Sequence, residues 1–160
     1  MLTTQGRLAE AEVLYREQLA LRRAQLGDRH PGTLETLANL ANNLREQGKP
    51  AEAEPLFRES LAADREVLGN DDEGTMMDAG NLGAVLLEQG KLAEAEPLLV
   101  EAVAWFRKNN RVSTDFAYLV ELRREQGRLA EAEQELGTLV ADLREVCGPQ
   151  IGRASCRERV

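Results

Sequence analysis

Four near-identical segments recur along the chain at a nearly fixed interval. They read QGRLAEAE from Gln5, QGKPAEAE from Gln47, QGKLAEAE from Gln89 and QGRLAEAE from Gln126. The first two intervals are 42 residues and the third is 37, so one unit is shorter than the others. Self-similarity at such a period is typical of stacked repeats, in which each unit buries its apolar face against its neighbours. We therefore expect a repeat array.

Within each unit the apolar residues follow a helical period. The first full unit has one stripe at Leu34, Leu37, Leu40, Ala41 and Leu44. Gly48 and Pro50, typical of a helix end and a helix start, precede a second stripe at Ala53, Leu56, Phe57, Leu61 and Leu68. Ala, Glu, Leu, Lys and Arg supply 87 of the 160 residues, a composition that favours helices over sheets.

The segment from Leu26 to Leu61, LGDRHPGTLETLANLANNLREQGKPAEAEPLFRESL, resembles a tetratricopeptide repeat (TPR). It is similar to the 42-residue kind that occurs in kinesin light chains and many bacterial proteins. Small residues also match the points where the two helices of such a repeat touch, at Ala41, Gly83 and Val120 on first helices and at Ala53, Ala95 and Ala132 on second helices. One departure is Arg123, which occupies a core position where an apolar residue is expected.

The resemblance implies an all-α fold, a right-handed α-solenoid of about seven helices. It implies a single TPR array over residues 5–148, with an orphan second helix at 7–26 and repeats at 33–68, 75–108 and 113–147. Neither end of this array shows a polar capping helix, and stacked repeats need caps to stay soluble. We therefore expect the sequence to be a fragment whose uncapped terminal helices could self-associate end to end.

The last ten residues, IGRASCRERV at 151–160, break the repeat pattern and contain the only isoleucine of the chain. They resemble a translated sequencing adapter, whose codons spell the same peptide followed by a stop. We interpret them as a non-native tail and leave them out of the fold prediction.

Composition and motifs argue against several kinds of function. The net charge of −8 disfavours a surface for nucleic acid, and no apolar run approaches the ~20 residues that cross a bilayer, so we expect no membrane insertion. Without the tail Cys147 is the only cysteine, which gives no disulfide framework, so we expect a reducing, cytoplasmic compartment. His30 has no Cys or His companion for a metal site, and we expect it to cap or pack beside the next helix. The AEAE segments suit the positive ends of helices, and an active site would not recur four times. We predict no enzymatic activity, no cofactor and no metal.

The first helices of a TPR stack line a concave groove, which gives the candidate binding residues. Groove-facing positions hold Asn39, Asn42, Arg45, Met77, Asn81, Tyr118, Glu121 and Arg124. An asparagine amide both donates and accepts, so it can pair with a peptide backbone of any sequence, while an arginine can bind a carboxylate. The alternative is that Asn39 and Asn42 only solvate the groove or bond between helices.

These features predict a non-catalytic scaffold that binds a peptide or a partner protein in the concave groove. A second hypothesis is a sensor or docking arm of a larger bacterial signalling enzyme, a protein kinase or a nucleotide-switch ATPase, with the catalytic domain outside these 160 residues.

Overall fold

The computed structural model describes residues 2–111 and 113–147, and both the end expected at residue 148 and the tail at 151–160 lie outside this part. The described residues contain seven α-helices and no β-strand. The helices are α1 (Leu2–Leu26), α2 (Pro31–Glu46), α3 (Pro50–Val67), α4 (Glu73–Glu88), α5 (Leu92–Lys108), α6 (Asp115–Glu125) and α7 (Leu129–Cys147). The predicted all-α solenoid of about seven helices is confirmed.

Each helix packs against the next one along the chain. Helix α4 also contacts α2 and α6, so the first helices of successive pairs lie side by side. The stripes predicted from the sequence form the core, where Leu37, Leu40 and Phe57 are at most 1% exposed. Leu68 is an exception, at 44% exposed, because it follows the last residue of α3 and leaves the buried face of that helix.

The two helices of a pair approach closely at the small residues. A β-carbon added to Gly83 of α4 would lie 2.7 Å from Leu99 Cγ of α5 and 3.5 Å from the carbonyl oxygen of Ala95. The turn that joins paired helices ends at a glycine in the left-handed region, with φ of 74° at Gly48 and 71° at Gly90. Such a conformation suits glycine because it has no β-carbon.

Successive repeats are joined by the second glutamate of the first three AEAE segments, at Glu12, Glu54 and Glu96. Each accepts a hydrogen bond from the side-chain amide of the next unit's glutamine, with 2.9 Å from Gln47, 2.8 Å from Gln89 and 2.8 Å from Gln126. The cation two residues after that glutamine binds the same carboxylate, with 3.0 Å from Lys49, 2.6 Å from Lys91 and 2.7 Å from Arg128. We call this arrangement the repeat joint.

The repeat joint also explains the charged residue at the predicted core position. Arg123 is 7% exposed, and its guanidinium pairs with Glu96 of the preceding unit. Glu131 Oε2 lies 3.7 Å from its Nε. The cation is therefore buried beside carboxylates, as buried charges generally must be.

The shortened unit brings α6 against α4. Helix α6 has 11 residues, whereas α2 and α4 have 16 each. The chain enters it past Asn110, whose φ of 54° is left-handed. The carboxylate of Asp115 at the start of α6 lies against Gly80 of α4, where a β-carbon would overlap it. Gly80 therefore permits this approach of the third unit to the second.

Candidate functional site

A cleft of about 290 Å³ lies between α2 and α4, with residues of α3 at its base. Four of the predicted groove residues line it, Asn39, Asn42, Met77 and Asn81. We call it the asparagine cleft. Its other charged and polar lining residues are Glu35, Ser60, Asp64 and Asp78, and neither lysine nor arginine is among the described residues that line it.

The asparagine side chains of this cleft are available to a ligand. Asn39 is exposed, and Asn42 and Asn81 are half-buried. None of the three amides forms a hydrogen bond with another described residue. Met77 beside them is 51% exposed, which provides apolar surface next to the free amides. The cleft can therefore both hydrogen-bond and pack against an extended chain.

The base of the asparagine cleft contains a pair of buried carboxyl groups that the sequence analysis missed. Asp64 of α3 is 7% exposed and Asp78 of α4 is 5% exposed. Burial, together with the charge of Asp64, raises the pKa of Asp78 to about 7, although a hydrogen bond from the Ser60 hydroxyl acts in the opposite direction. Burial also raises the pKa of Asp64, although the hydrogen bond from protonated Asp78 acts in the opposite direction. At neutral pH the pair therefore shares a proton.

Arg45 is already engaged within the protein. Its Nε donates to Glu88 Oε1 at 2.7 Å, and its Nη2 donates to the Tyr118 hydroxyl at 2.5 Å. The guanidinium carbon lies 4.9 Å from the centre of the Tyr118 ring, a distance typical of a cation–π contact. Arg45 thus joins the first helices of all three repeats. A carboxylate ligand would have to compete with Glu88 for it.

A second cleft, of about 500 Å³, lies between α4 and α6. Tyr118 and Glu121 line it together with Glu88 and Glu125, and we call it the tyrosine cleft. The structure therefore divides the predicted groove residues between two clefts, with Arg45 bonded to residues of the second. Arg124 is exposed on α6 and lines neither cleft.

His30, the one histidine of the sequence, has a structural role. His30 caps α2, because its Nδ1 accepts from the Gly32 amide at 3.1 Å, and Asp72 caps α4 in the equivalent place.

The described residues contain no group of three or more His, Cys, Asp or Glu side chains that could hold a metal ion. None of the described helices combines the length and apolarity that a bilayer crossing requires.

Comparison with known proteins identifies the family. One tetratricopeptide repeat model matches residues 1–66 and 44–108, and a second matches residues 86–151. The chain therefore belongs to the tetratricopeptide repeat family. No curated protein matches the sequence significantly. Proteins with this repeat generally mediate protein–protein interactions and are generally non-catalytic scaffolds.

Solved structures of other repeat proteins share this fold. The putative kinesin light chain repeats of Podosopora anserina have 22% identity and a TM-score of 0.80, over 98% of this chain and 75% of that one. BtubC (BKLC) from P. vanneervenii has 19% identity and a TM-score of 0.79, over 93% of this chain and 62% of that one. The TPR domain of Arabidopsis FLU has 21% identity and a TM-score of 0.61, over 70% of this chain and 95% of that one.

Proposed function

We propose that this protein is a non-catalytic scaffold whose asparagine cleft binds an extended segment of a partner protein. The observation that carries the proposal is the set of three unpaired amides, Asn39, Asn42 and Asn81, beside the exposed Met77. Asn39 and Asn81 are 42 residues apart and occupy equivalent positions of successive first helices. Two amides at equivalent positions can hydrogen-bond the backbone of one extended chain at two points.

The test begins with peptides selected on the wild-type protein from a display library of random sequences. The double variant Asn39→Ala/Asn81→Ala should lose at least ~10-fold in affinity for these peptides, because each lost backbone hydrogen bond contributes about 1 kcal/mol. Asn70→Ala, which alters an exposed asparagine in the loop before α4, is the matched control and should bind as the wild type does. Equal affinity of the double variant would place the binding site elsewhere.

End-to-end self-association is a second candidate, supported by exposed apolar residues on α1 and α7. Leu14 is 65% exposed on α1, and Leu136 is 47% exposed on α7. Stacking of these helices between copies would bury both side chains. Sedimentation at increasing concentration should then show oligomers that Leu14→Glu abolishes and Val100→Glu, on α5, does not. A wild-type protein that stays monomeric would exclude this candidate.

The docking arm of a larger bacterial signalling enzyme, with a protein kinase or nucleotide-switch ATPase domain, stays a prediction. Sequencing of the source locus on both sides of this segment tests it directly. A continuous reading frame that encodes such a domain would support it, and a short frame without one would exclude it.

A further inference from the structure

We propose that Asp64 and Asp78, together with the Ser60 hydroxyl, form a subsite that receives one lysine or arginine side chain of the bound partner segment. This inference rests on the proposed function, because the subsite lies at the base of the asparagine cleft. It concerns which residue the partner must carry, whereas the asparagines bind backbone and do not select a side chain.

The base of the asparagine cleft contains buried polar atoms that bond to no described residue outside their own cluster. Ser60 is completely buried, and neither its hydroxyl nor Asp78 Oδ2 has a hydrogen-bond partner among the described residues outside the group of Ser60, Asp64 and Asp78. Both residues line the cleft. Unpaired buried acceptors destabilise a protein, so a ligand that supplies donors at this place gains their full hydrogen-bond energy. An ammonium or guanidinium group supplies three to five donors and a positive charge.

Comparison among the repeats is the second argument. The positions equivalent to Asp64 in the neighbouring units, 42 residues before and after it, hold Arg22 and Phe106. Arg22 Nη1 donates to the carbonyl oxygen of Gly32 and lies 3.4 Å from Glu35 Oε2. The repeat fold therefore accepts a cation, an aromatic ring or an acid at this place. The buried acid is specific to the junction of α3 with α4.

The residues at the positions equivalent to Asp78 are each bonded to a residue of their own unit. Eleven residues before each turn glutamine the chain holds Thr36, Asp78 and Asp115. The Thr36 hydroxyl donates to Gly32 O at 3.0 Å. Asp115 Oδ2 accepts from the Ser113 hydroxyl at 2.9 Å, and the nearby charge of Arg45 lowers the pKa of Asp115, against the larger effect of burial, which raises it. Asp78 has no such cation, and its closest charged neighbour is another acid.

The charge of the cleft is the third argument. Its charged lining residues are Glu35, Asp64 and Asp78, all acidic. A basic side chain that enters the cleft meets no cation among its described lining residues, whereas an acidic one meets only other acids. The cation would replace the proton that Asp64 and Asp78 share. The two carboxylates would then accept charge-assisted hydrogen bonds from the partner's side chain.

The experiment compares peptides selected on three forms of the protein. Peptides selected on the wild type should carry a lysine or arginine at one fixed position, and replacement of that residue by glutamine should weaken binding roughly 10- to 100-fold. Selection on Asp64→Asn/Asp78→Asn should show no such enrichment. The control Glu121→Gln/Glu125→Gln removes two carboxylates from the tyrosine cleft and should keep the enrichment. Circular dichroism checks that all three forms are folded.

Each outcome separates this inference from the proposed function. Peptides that lose affinity with Asn39→Ala/Asn81→Ala but show no basic enrichment would overturn the subsite and leave the groove assignment intact. Enrichment that persists in Asp64→Asn/Asp78→Asn would likewise overturn the subsite. Failure to select any peptide that depends on Asn39 and Asn81 would overturn the proposed function, and the subsite with it.

Discussion

The side-chain amide of Gln89 donates a hydrogen bond of 2.8 Å to Glu54 Oε2, which joins the end of α4 to the second helix of the preceding repeat. Lys91 Nζ lies 2.6 Å from the same oxygen. Glu54 is therefore bound by an amide and an ammonium from one turn, and its side chain is only 13% exposed. The same arrangement at Glu12 and Glu96 makes the repeat joint a regular feature of the stack.

Replacement of Glu54 by alanine should destabilise the protein by about 1 to 3 kcal/mol, because it leaves a half-buried amide and a cation without their partner. Urea unfolding followed by circular dichroism measures this change. The control is Glu52→Ala in the same turn of α3. Glu52 is 56% exposed and lies 3.8 Å from Arg16, so its loss should change stability by no more than about 0.5 kcal/mol. Equal effects of the two substitutions would contradict a structural role for the joint.

The repeat joints also predict how the protein responds to acid. Hydrogen bonds from neighbouring side chains lower the pKa of Glu12, Glu54 and Glu96 from 4.5 to about 2 each. A lowered pKa in the folded state contributes stability that is present above about pH 4.5 and is lost as the pH falls towards about 2. The triple variant Glu12→Gln/Glu54→Gln/Glu96→Gln should show a flatter dependence of the urea midpoint on pH across this range. An unchanged slope would show that other carboxylates cause the acid sensitivity.

Much of this fold could be predicted from the sequence because the same letters recur at equivalent places. A stripe such as Leu37, Leu40 and Leu44 has the helical period, and Gly48 marks the turn, so the helix pairs follow from local rules. The repeat joint also has a signal in the sequence. Each AEAE segment recurs together with the Gln-Gly-Lys or Gln-Gly-Arg turn of the next unit, and such paired recurrence is expected of contacting residues.

The clefts could be predicted only in part. Asn39 and Asn81 follow from the period, since they are equivalent residues of neighbouring helices. The contact of Arg45 with Tyr118 depends on how closely α6 approaches α2 and α4, and that approach is set by the shortened third unit. The pairing of Asp64 with Asp78 likewise requires the relative rotation of two helices, which no periodicity in the sequence specifies.

The buried pair predicts a second dependence on pH, of opposite sign. The pKa of Asp78 is raised to about 7, mainly by burial, so its contribution to stability is present below about pH 4 and is lost as the pH rises through about 7. Of the other acids, Asp64 on α3 acts on it directly, Asp72 at the start of α4 acts on Asp64, and Glu35 on α2 lines the same cleft. Asp78→Asn should remove this loss and stabilise the protein at pH 8 by roughly 2 to 4 kcal/mol.

The measurement is the urea midpoint of Asp78→Asn and wild type at about pH 5 and pH 8. The difference between them should be larger at pH 8 than at pH 5, because folded wild-type Asp78 is neutral at the lower pH and ionised at the higher one. Glu125→Gln, which removes an exposed carboxylate of the tyrosine cleft, should follow the wild-type profile. A constant difference at both pH values would mean that Asp78 does not change its protonation in this range.

Two glycines within helices should respond in opposite directions to alanine. At Gly83 the new β-carbon would meet Leu99 Cγ at 2.7 Å, and Leu99 is completely buried, so the two helices must move apart. Gly83→Ala should destabilise the protein by about 1 to 3 kcal/mol through overpacking, although alanine is the better helix former. At Gly137 on α7 no atom lies within 4 Å of the added carbon, so Gly137→Ala should stabilise by about 0.5 to 1 kcal/mol. Urea unfolding of both variants tests the close approach of α4 to α5, because stabilisation by both substitutions would exclude it.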